Sequence, residues 1–298
     1  GNLRFGFQDA SVYLGTTFDF EFFASTIPGF NMQHINSRPN LPTSEDRNDN
    51  SIMGMFAQWD DDAWSTYGQF LIDDINLNGL FFPELRQLPN KLAFALGGAM
   101  FTPAGTVSVH SAMATKYTFQ SYGNSGGETP YGYTFVPAAA FREGDARQIV
   151  PIEDNYLGYR YGENALSLMA QYDTRIGADG PLDLALHSSL EWVINGSKSP
   201  GNPVHELVEL PPRTEFLNDD VLEHRLVAEL RATRQILPFL QLGLSLTLGH
   251  VWNELGIVEV PEELHFGSFN DDPYLAPIEG SNRLIADARV HVGVAWDW

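Results

Sequence analysis

The sequence contains no cysteine and few basic residues, with 17 Lys and Arg against 38 Asp and Glu among 298 residues. The missing cysteine excludes disulfides and thiolate metal sites. The formal net charge of −21 argues against a nucleic-acid partner, because phosphate binding requires clusters of Lys and Arg. It also argues against direct binding to an anionic lipid surface unless divalent cations form the bridge. Cations and neutral, hydroxyl-rich ligands suit this charge better.

Long apolar runs are absent as well. Although 43% of the residues are hydrophobic, no stretch approaches the roughly 18 consecutive apolar residues that a membrane-spanning helix needs. A helical span is therefore excluded. The charged fraction of 18% nevertheless lies below the value of about 25% that is typical of soluble domains.

What the sequence does contain is alternation of apolar and polar residues over segments of roughly ten to fifteen residues, longer than the five or six common in soluble strands. In the final segment, Val290 and Val292 share one face, whereas Arg289 and His291 share the other. In a bacterial outer-membrane barrel, apolar side chains face lipid and polar ones face the lumen. We therefore predict an all-β fold, a transmembrane antiparallel up-and-down β-barrel.

The same alternation, bounded by turn residues, predicts ten to twelve strands. An even number of strands closes a barrel with a narrow lumen, either within this chain or as part of a larger barrel. The predicted strands are 3–9, 11–24, 50–60, 64–75, 91–103, 106–122, 154–174 as one strand or two, 182–196, 222–236, 238–256 and 283–298.

Tight turns and long connections alternate along the chain, as a barrel requires. Residues 60–63, 103–105, 176–181 and 237–238 are rich in Gly, Pro and Asp, which favours tight turns on the periplasmic side. The chain is predicted to form a single domain, 1–298, with long extracellular loops near 25–50, 122–153, 197–221 and 257–282.

Charged residues on the polar faces are predicted to line the lumen. A mixture of signs can set up a transverse field in a porin, or it can fill a narrow barrel with a salt-bridge network. We favour the network for ten to twelve strands. The predicted lumenal residues are Asp19, Glu21, Asp73, Glu191, Glu223, Arg225, Glu229, Arg231, Asp287, Arg289 and His291.

No catalytic, metal or cofactor site is predicted. His187, Ser189 and Glu191 share a face, but positions i and i+2 of a strand lie about 6.5–7 Å apart, too far for a Ser–His hydrogen bond. The acidic runs at 45–50 and 270–272 do not fit the pattern of an EF-hand loop.

The loop at 122–135 mixes aromatic residues with Gly and Asn. Such a surface can stack on sugar rings, whose C–H faces suit aromatic planes. Packing of the loop over the barrel mouth explains the same composition equally well. The predicted glycan-contact residues are Tyr122, Asn124, Tyr131, Tyr133 and Phe135.

Several motifs in order give the chain a family resemblance over residues 12–175. They are Asp49-Asn50-Ser51-Ile52-Met53-Gly54, Thr66-Tyr67-Gly68-Gln69-Phe70-Leu71-Ile72-Asp73-Asp74, Pro89-Asn90-Lys91-Leu92-Ala93-Phe94-Ala95-Leu96-Gly97-Gly98, Tyr117-Thr118-Phe119 and Asn155-Tyr156-Leu157-Gly158-Tyr159-Arg160-Tyr161-Gly162. In this order they resemble the Wzi-type capsule assembly family of outer-membrane proteins.

The resemblance implies a monomeric barrel in the bacterial outer membrane, surrounded by lipid and lipopolysaccharide, that acts as a lectin for exported polysaccharide. Family members are longer, so this chain is either a shortened relative or the C-terminal part of a larger barrel. The expected function is non-catalytic binding or retention of surface polysaccharide. The alternative is a porin-like channel for small solutes with an acidic, cation-preferring lumen.

Overall fold

The computed structural model describes residues 1–13, 49–74, 90–116, 118, 159–177, 183–198, 215–237, 239–258 and 274–294. No helix long and apolar enough to cross a membrane occurs in these ranges. The described residues form twelve strands: β1 Asn2–Tyr13, β2 Asp49–Asp60, β3 Trp64–Asp74, β4 Lys91–Thr102, β5 Gly105–Ala114, β6 Ala165–Ile176, β7 Leu184–Asn195, β8 Glu223–Leu237, β9 Leu240–Trp252, β10 Leu255–Val258, β11 Tyr274–Pro277 and β12 Asn282–Val294.

Ten of these strands form one antiparallel sheet in the order β1 to β9 followed by β12. Each strand pairs with the next one along the chain, except that β10 and β11 pair with each other between β9 and β12. The predicted all-β, antiparallel, up-and-down arrangement is confirmed. The sheet is open, because β1 and β12 are not paired with each other in the described residues.

Short connections join β2 to β3, β4 to β5, β6 to β7 and β8 to β9, where tight turns were predicted. They all lie at one end of the sheet, the turn end, and the longer connections begin and end at the other, the loop end. Gly105, after the second turn, has φ +140°, and a Cβ there would lie 2.4 Å from the backbone oxygen of Asp173. Only glycine therefore fits this close approach between β5 and β6.

The exposed face of the sheet is apolar. On β9, Leu244 is 54% exposed and Leu248 is 50% exposed, whereas Ser245 is 7% and Val251 is 1% exposed. We call the face that carries these leucines the outer face, and its opposite the inner face. Soluble proteins bury their large apolar residues, so this sheet is inverted relative to a soluble one.

Some predicted strand boundaries are wrong. The break before residue 11 does not occur, because Ala10 and Ser11 continue the ladder opposite Ile52 and Ser51. Within the strand predicted over 154–174, residues 159–164 form turns and bends, and β6 begins at Ala165.

The prediction of one continuous strand over 238–256 also fails. β9 ends at Trp252, since Asn253 adopts a positive φ of 52° that a strand does not accommodate. The chain then forms β10, and β11 lies inside the segment predicted to be a loop.

Candidate functional site on the inner face

The register aligns inner-face side chains in rows that cross neighbouring strands. Two adjacent rows on β6 to β9 and β12 contain four of the charged residues predicted for the lumen, Glu229, Arg231, Asp287 and Arg289. The first inner row is Asp173, His187, Arg231, Ser245 and Arg289, and the second is Gln171, Ser189, Glu229, Thr247 and Asp287.

Ion pairs in these rows are local. Arg231 Nη2 lies 2.7 Å from Glu229 Oε1 on the same strand, and Arg289 Nε lies 2.5 Å from Asp287 Oδ2, also on one strand. His187 Nδ1 lies 2.7 Å from Asp173 Oδ1 on the neighbouring strand. Each of these three contacts joins positions on one strand or on adjacent strands.

Charges on the described inner face are close to balanced. The basic residues are Arg4, Lys91, Arg175, Arg225, Arg231, Arg283 and Arg289, and the acidic ones are Asp60, Asp173, Glu191, Glu223, Glu229 and Asp287. The large acidic excess of the whole chain thus does not lie on this face.

At the loop end, the segment that precedes β6 covers the inner face. Asn164 is fully buried there with a positive φ of 48°. Its side-chain nitrogen donates to the Ser197 carbonyl oxygen and to Asp219 Oδ2, and its Oδ1 accepts from the Leu217 N–H. One asparagine side chain therefore joins three segments that are distant in sequence, an arrangement that we call the loop-end latch.

Two lysines strengthen the loop-end latch. The buried Lys198 ammonium donates to the carbonyl oxygens of Tyr161 and Glu163, at 2.7 and 2.5 Å. Lys116 Nζ lies 3.3 Å from Glu215 and 3.6 Å from Asp219. Carbonyl oxygens thus compensate for the burial of the Lys198 ammonium, and carboxylates pair with the Lys116 ammonium.

Asp219 stays ionised within the latch. Burial alone would raise the pKa of Asp219, but the Ser197 hydroxyl, the Lys116 ammonium, the Ser197 N–H and the Asn164 amide outweigh it and lower this pKa below 3.8. The Ser197 Oγ to Asp219 Oδ1 distance is 2.6 Å.

Two tyrosines of the segment before β6, Tyr159 and Tyr161, pack against inner-face residues of the strands. Tyr161 is 2% exposed, and its hydroxyl donates to Glu191 Oε2 at 2.6 Å. Burial, together with the hydrogen bond to Glu191, raises the pKa of Tyr161. Arg160 lies 4.7 Å above the Tyr161 ring and 3.6 Å from Glu191. Burial also raises the pKa of Tyr159 to about 12.

The structure describes some of the predicted site residues and not others. The register places Glu191, Glu223, Arg225, Glu229, Arg231, Asp287, Arg289 and His291 on the inner face. Asp19, Glu21 and the predicted glycan loop, with Tyr122, Asn124, Tyr131, Tyr133 and Phe135, lie outside the described residues. Asp73 belongs to β3 beside a register shift, and its side chain is also outside the description.

Sequence reasoning missed the latch and the partner of His187. Asn164 carried one usable signal, since asparagine tolerates positive φ more readily than most residues. Asp173 occupies one of the alternate positions of β6 that face inward. The strand predicted over 154–174 did not, however, show which of its residues lie opposite those of β7. Ser189 makes no hydrogen bond to His187 in the described residues, and the imidazole faces Asp173 instead.

Comparisons with known proteins do not identify the chain. No protein-family model, no curated protein and no solved structure matches it. The resemblance to the Wzi-type family therefore stays a prediction.

Proposed function

We propose that this chain forms an outer-membrane β-barrel that binds or retains surface polysaccharide without catalysis. The observation that carries the membrane part is the inverted sheet, with exposed leucines and valines outside and polar rows inside. The sheet strands are ten to fifteen residues long, and about 9–11 residues suffice for a tilted strand to cross a bilayer.

The proposal requires the open sheet to close into a barrel. An open edge presents unpaired N–H and C=O groups, which are costly in hydrocarbon. β1 runs toward the loop end and β12 runs away from it, so the two edges have the antiparallel orientation that pairing requires. Pairing of β1 with β12 would give a ten-stranded barrel, and further strands would give a larger one.

Polysaccharide binding is supported by the loop end. The latch around Asn164 joins two long connections, β5–β6 and β7–β8, where they meet the sheet. The aromatic loop at 122–135 belongs to one of these connections and offers rings for sugar stacking. We place lipid and lipopolysaccharide around the barrel of a bacterial outer membrane, and propose a monomer in which the connections present these loops to exported polysaccharide.

A porin-like channel is the second candidate. It is favoured by the local ion pairs of Arg231 and Arg289, which do not cross to distant strands. The near balance of charge on the described inner face gives the cation preference expected of such a channel no support in these strands.

Planar-bilayer conductance of the refolded chain separates the two candidates. The lectin proposal predicts no steady openings in KCl, together with retention of acidic and neutral bacterial polysaccharides on immobilised protein that Tyr131→Ala and Tyr133→Ala reduce. Large steady openings, with folding verified by a heat-modifiable gel shift, would overturn the lectin proposal in favour of the channel. Failure of the chain to insert at all would overturn the membrane proposal.

A further inference from the structure

A second candidate site lies on the inner face at the turn end, away from the latch. A cavity of about 420 Å³ opens there between the β4–β5 turn and β8. Small-molecule sites commonly occupy about 300–1,000 Å³. The polar residues that line it are Thr102, Asp173, Thr174, Arg175, His187, Arg231 and Thr233.

Of the charged side chains, Arg175 donates through both Nε and Nη2 to Asp183, whereas Asp173 and Arg231 have partners and still keep polar atoms for a ligand. Asp173 uses Oδ1 toward His187, and Arg231 uses Nη2 toward Glu229. The side chains of Asp173 and Arg231 are nevertheless 52% and 53% exposed. A carboxylate acceptor and guanidinium donors therefore border the same space.

This pairing of acceptor and donors selects against simple ions. A small anion that approaches Arg231 meets Asp173, and a small cation that approaches Asp173 meets Arg231. A hydroxyl group both donates and accepts, so a ring with several hydroxyls satisfies both side chains at once.

An aromatic residue extends the first inner row. Phe101 on β4 lies opposite Thr106, which lies opposite Asp173, and all three belong to the inner face. Phe101 does not line the cavity itself, but its ring is 46% exposed on the same face of the sheet. An exposed ring suits the apolar C–H face of a sugar.

We propose that this cavity is a binding site for a neutral sugar, a monosaccharide or a short oligosaccharide. The Asp173 carboxylate accepts sugar hydroxyls, Arg231 donates to them, and Phe101 stacks beside them. The site depends on the inner face at the turn end and not on the loops that we propose for polysaccharide retention. Either proposal can therefore fail without the other.

Saturation-transfer difference NMR on the full chain in detergent micelles tests the site. The probes are D-glucose, D-galactose, maltose and, as a charged counterpart, D-glucuronate. We expect transfer to at least one neutral sugar, and binding at least about tenfold weaker for D-glucuronate, which brings a carboxylate against Asp173.

Variants locate the binding. Asp173→Asn and Arg231→Gln should weaken the neutral sugar at least about tenfold, because each removes a charge-assisted hydrogen bond. Asp287→Asn is the matched control, since Asp287 also pairs with a side chain of the inner face but does not line the cavity. No transfer to any neutral sugar, stronger binding of D-glucuronate, or equal loss in Asp287→Asn would overturn the proposal. Should the variants fail to fold, the comparison of neutral and acidic sugars on the wild type still tests the proposal.

Discussion

Ser245 on β9 and His291 on β12 meet on the inner face, where the serine Oγ lies 3.0 Å from the histidine Nε2. Their strand neighbours Leu244 and Val290 are 54% and 76% exposed on the opposite face. The contact and the two exposures together assign the faces of both strands. The polar side chains lie on the inner face and the aliphatic side chains on the outer face.

A charge on the outer face tests that orientation. Leu244→Arg places a guanidinium among aliphatic side chains that we propose to face lipid. We expect a loss of about 2–4 kcal/mol in the free energy of unfolding from lipid bilayers, the cost measured for Arg near the bilayer midplane. Urea unfolding from liposomes, followed by tryptophan fluorescence, measures it.

Thr247→Arg provides the matched control on the same strand. Thr247 faces inward, and the residues opposite it are Glu229 on one side and Asp287 on the other. An arginine there gains two carboxylate neighbours, so its unfolding free energy should stay close to that of the wild type. A larger loss for Thr247→Arg than for Leu244→Arg would reverse the two faces.

Removal of the Asn164 side chain should loosen the loop end. Asn164→Ala deletes three hydrogen bonds and leaves a residue with a Cβ in the left-handed region. We expect a loss of at least about 2 kcal/mol in the free energy of unfolding, because buried partners remain unsatisfied. Limited proteolysis should then cleave the connections near Ser197 and Leu217 faster than in the wild type.

Asn164→Gly separates the two contributions to that loss. Glycine also lacks the amide but adopts positive φ freely, so it should recover about 1 kcal/mol relative to alanine. Equal stability of the wild type and both variants would show that the latch contributes little.

Local periodicity was enough to predict the sheet. The leucines of β9 alternate with small and polar residues, and turn-forming residues mark where the hairpins reverse, so strand type and facing follow from short stretches of sequence. Antiparallel pairing of neighbours then follows from the short turns. The charged residues of β8 and β12 could be placed on the inner face for the same reason.

The latch could not be predicted, because it depends on contacts between distant segments. Asn164 contacts Asp219 across 55 residues, and Lys198 bridges to Leu275 in a segment that was predicted to be a loop. No local pattern marks such partners. The register between β6 and β7, which pairs Asp173 with His187, likewise depends on the exact start of β6 at Ala165.

Acid should weaken the loop end through Asp219. Because the folded state lowers the pKa of Asp219, its ionised form stabilises the latch at neutral pH. This stability is fully present above the ordinary pKa near 3.8 and is lost as the pH falls through the lower, folded value. Proteolysis by pepsin across the acid range should show protection disappearing below about pH 4. Asp219→Asn should remove that pH dependence, and an unchanged profile in this variant would assign the transition to other carboxylates.

Alkali should weaken the same region through Tyr159, whose hydroxyl donates to the Ala112 carbonyl oxygen at 3.1 Å. Burial raises the pKa of Tyr159 to about 12, so the folded state holds the proton that an unfolded tyrosine releases near pH 10. The resulting stability is fully present below about pH 10 and is lost as the pH rises toward 12. A phenolate absorbance titration should therefore show a late step, and Tyr159→Phe should remove part of its amplitude. Complete titration of all tyrosines near pH 10 in the folded protein would contradict the burial of this segment against the strands.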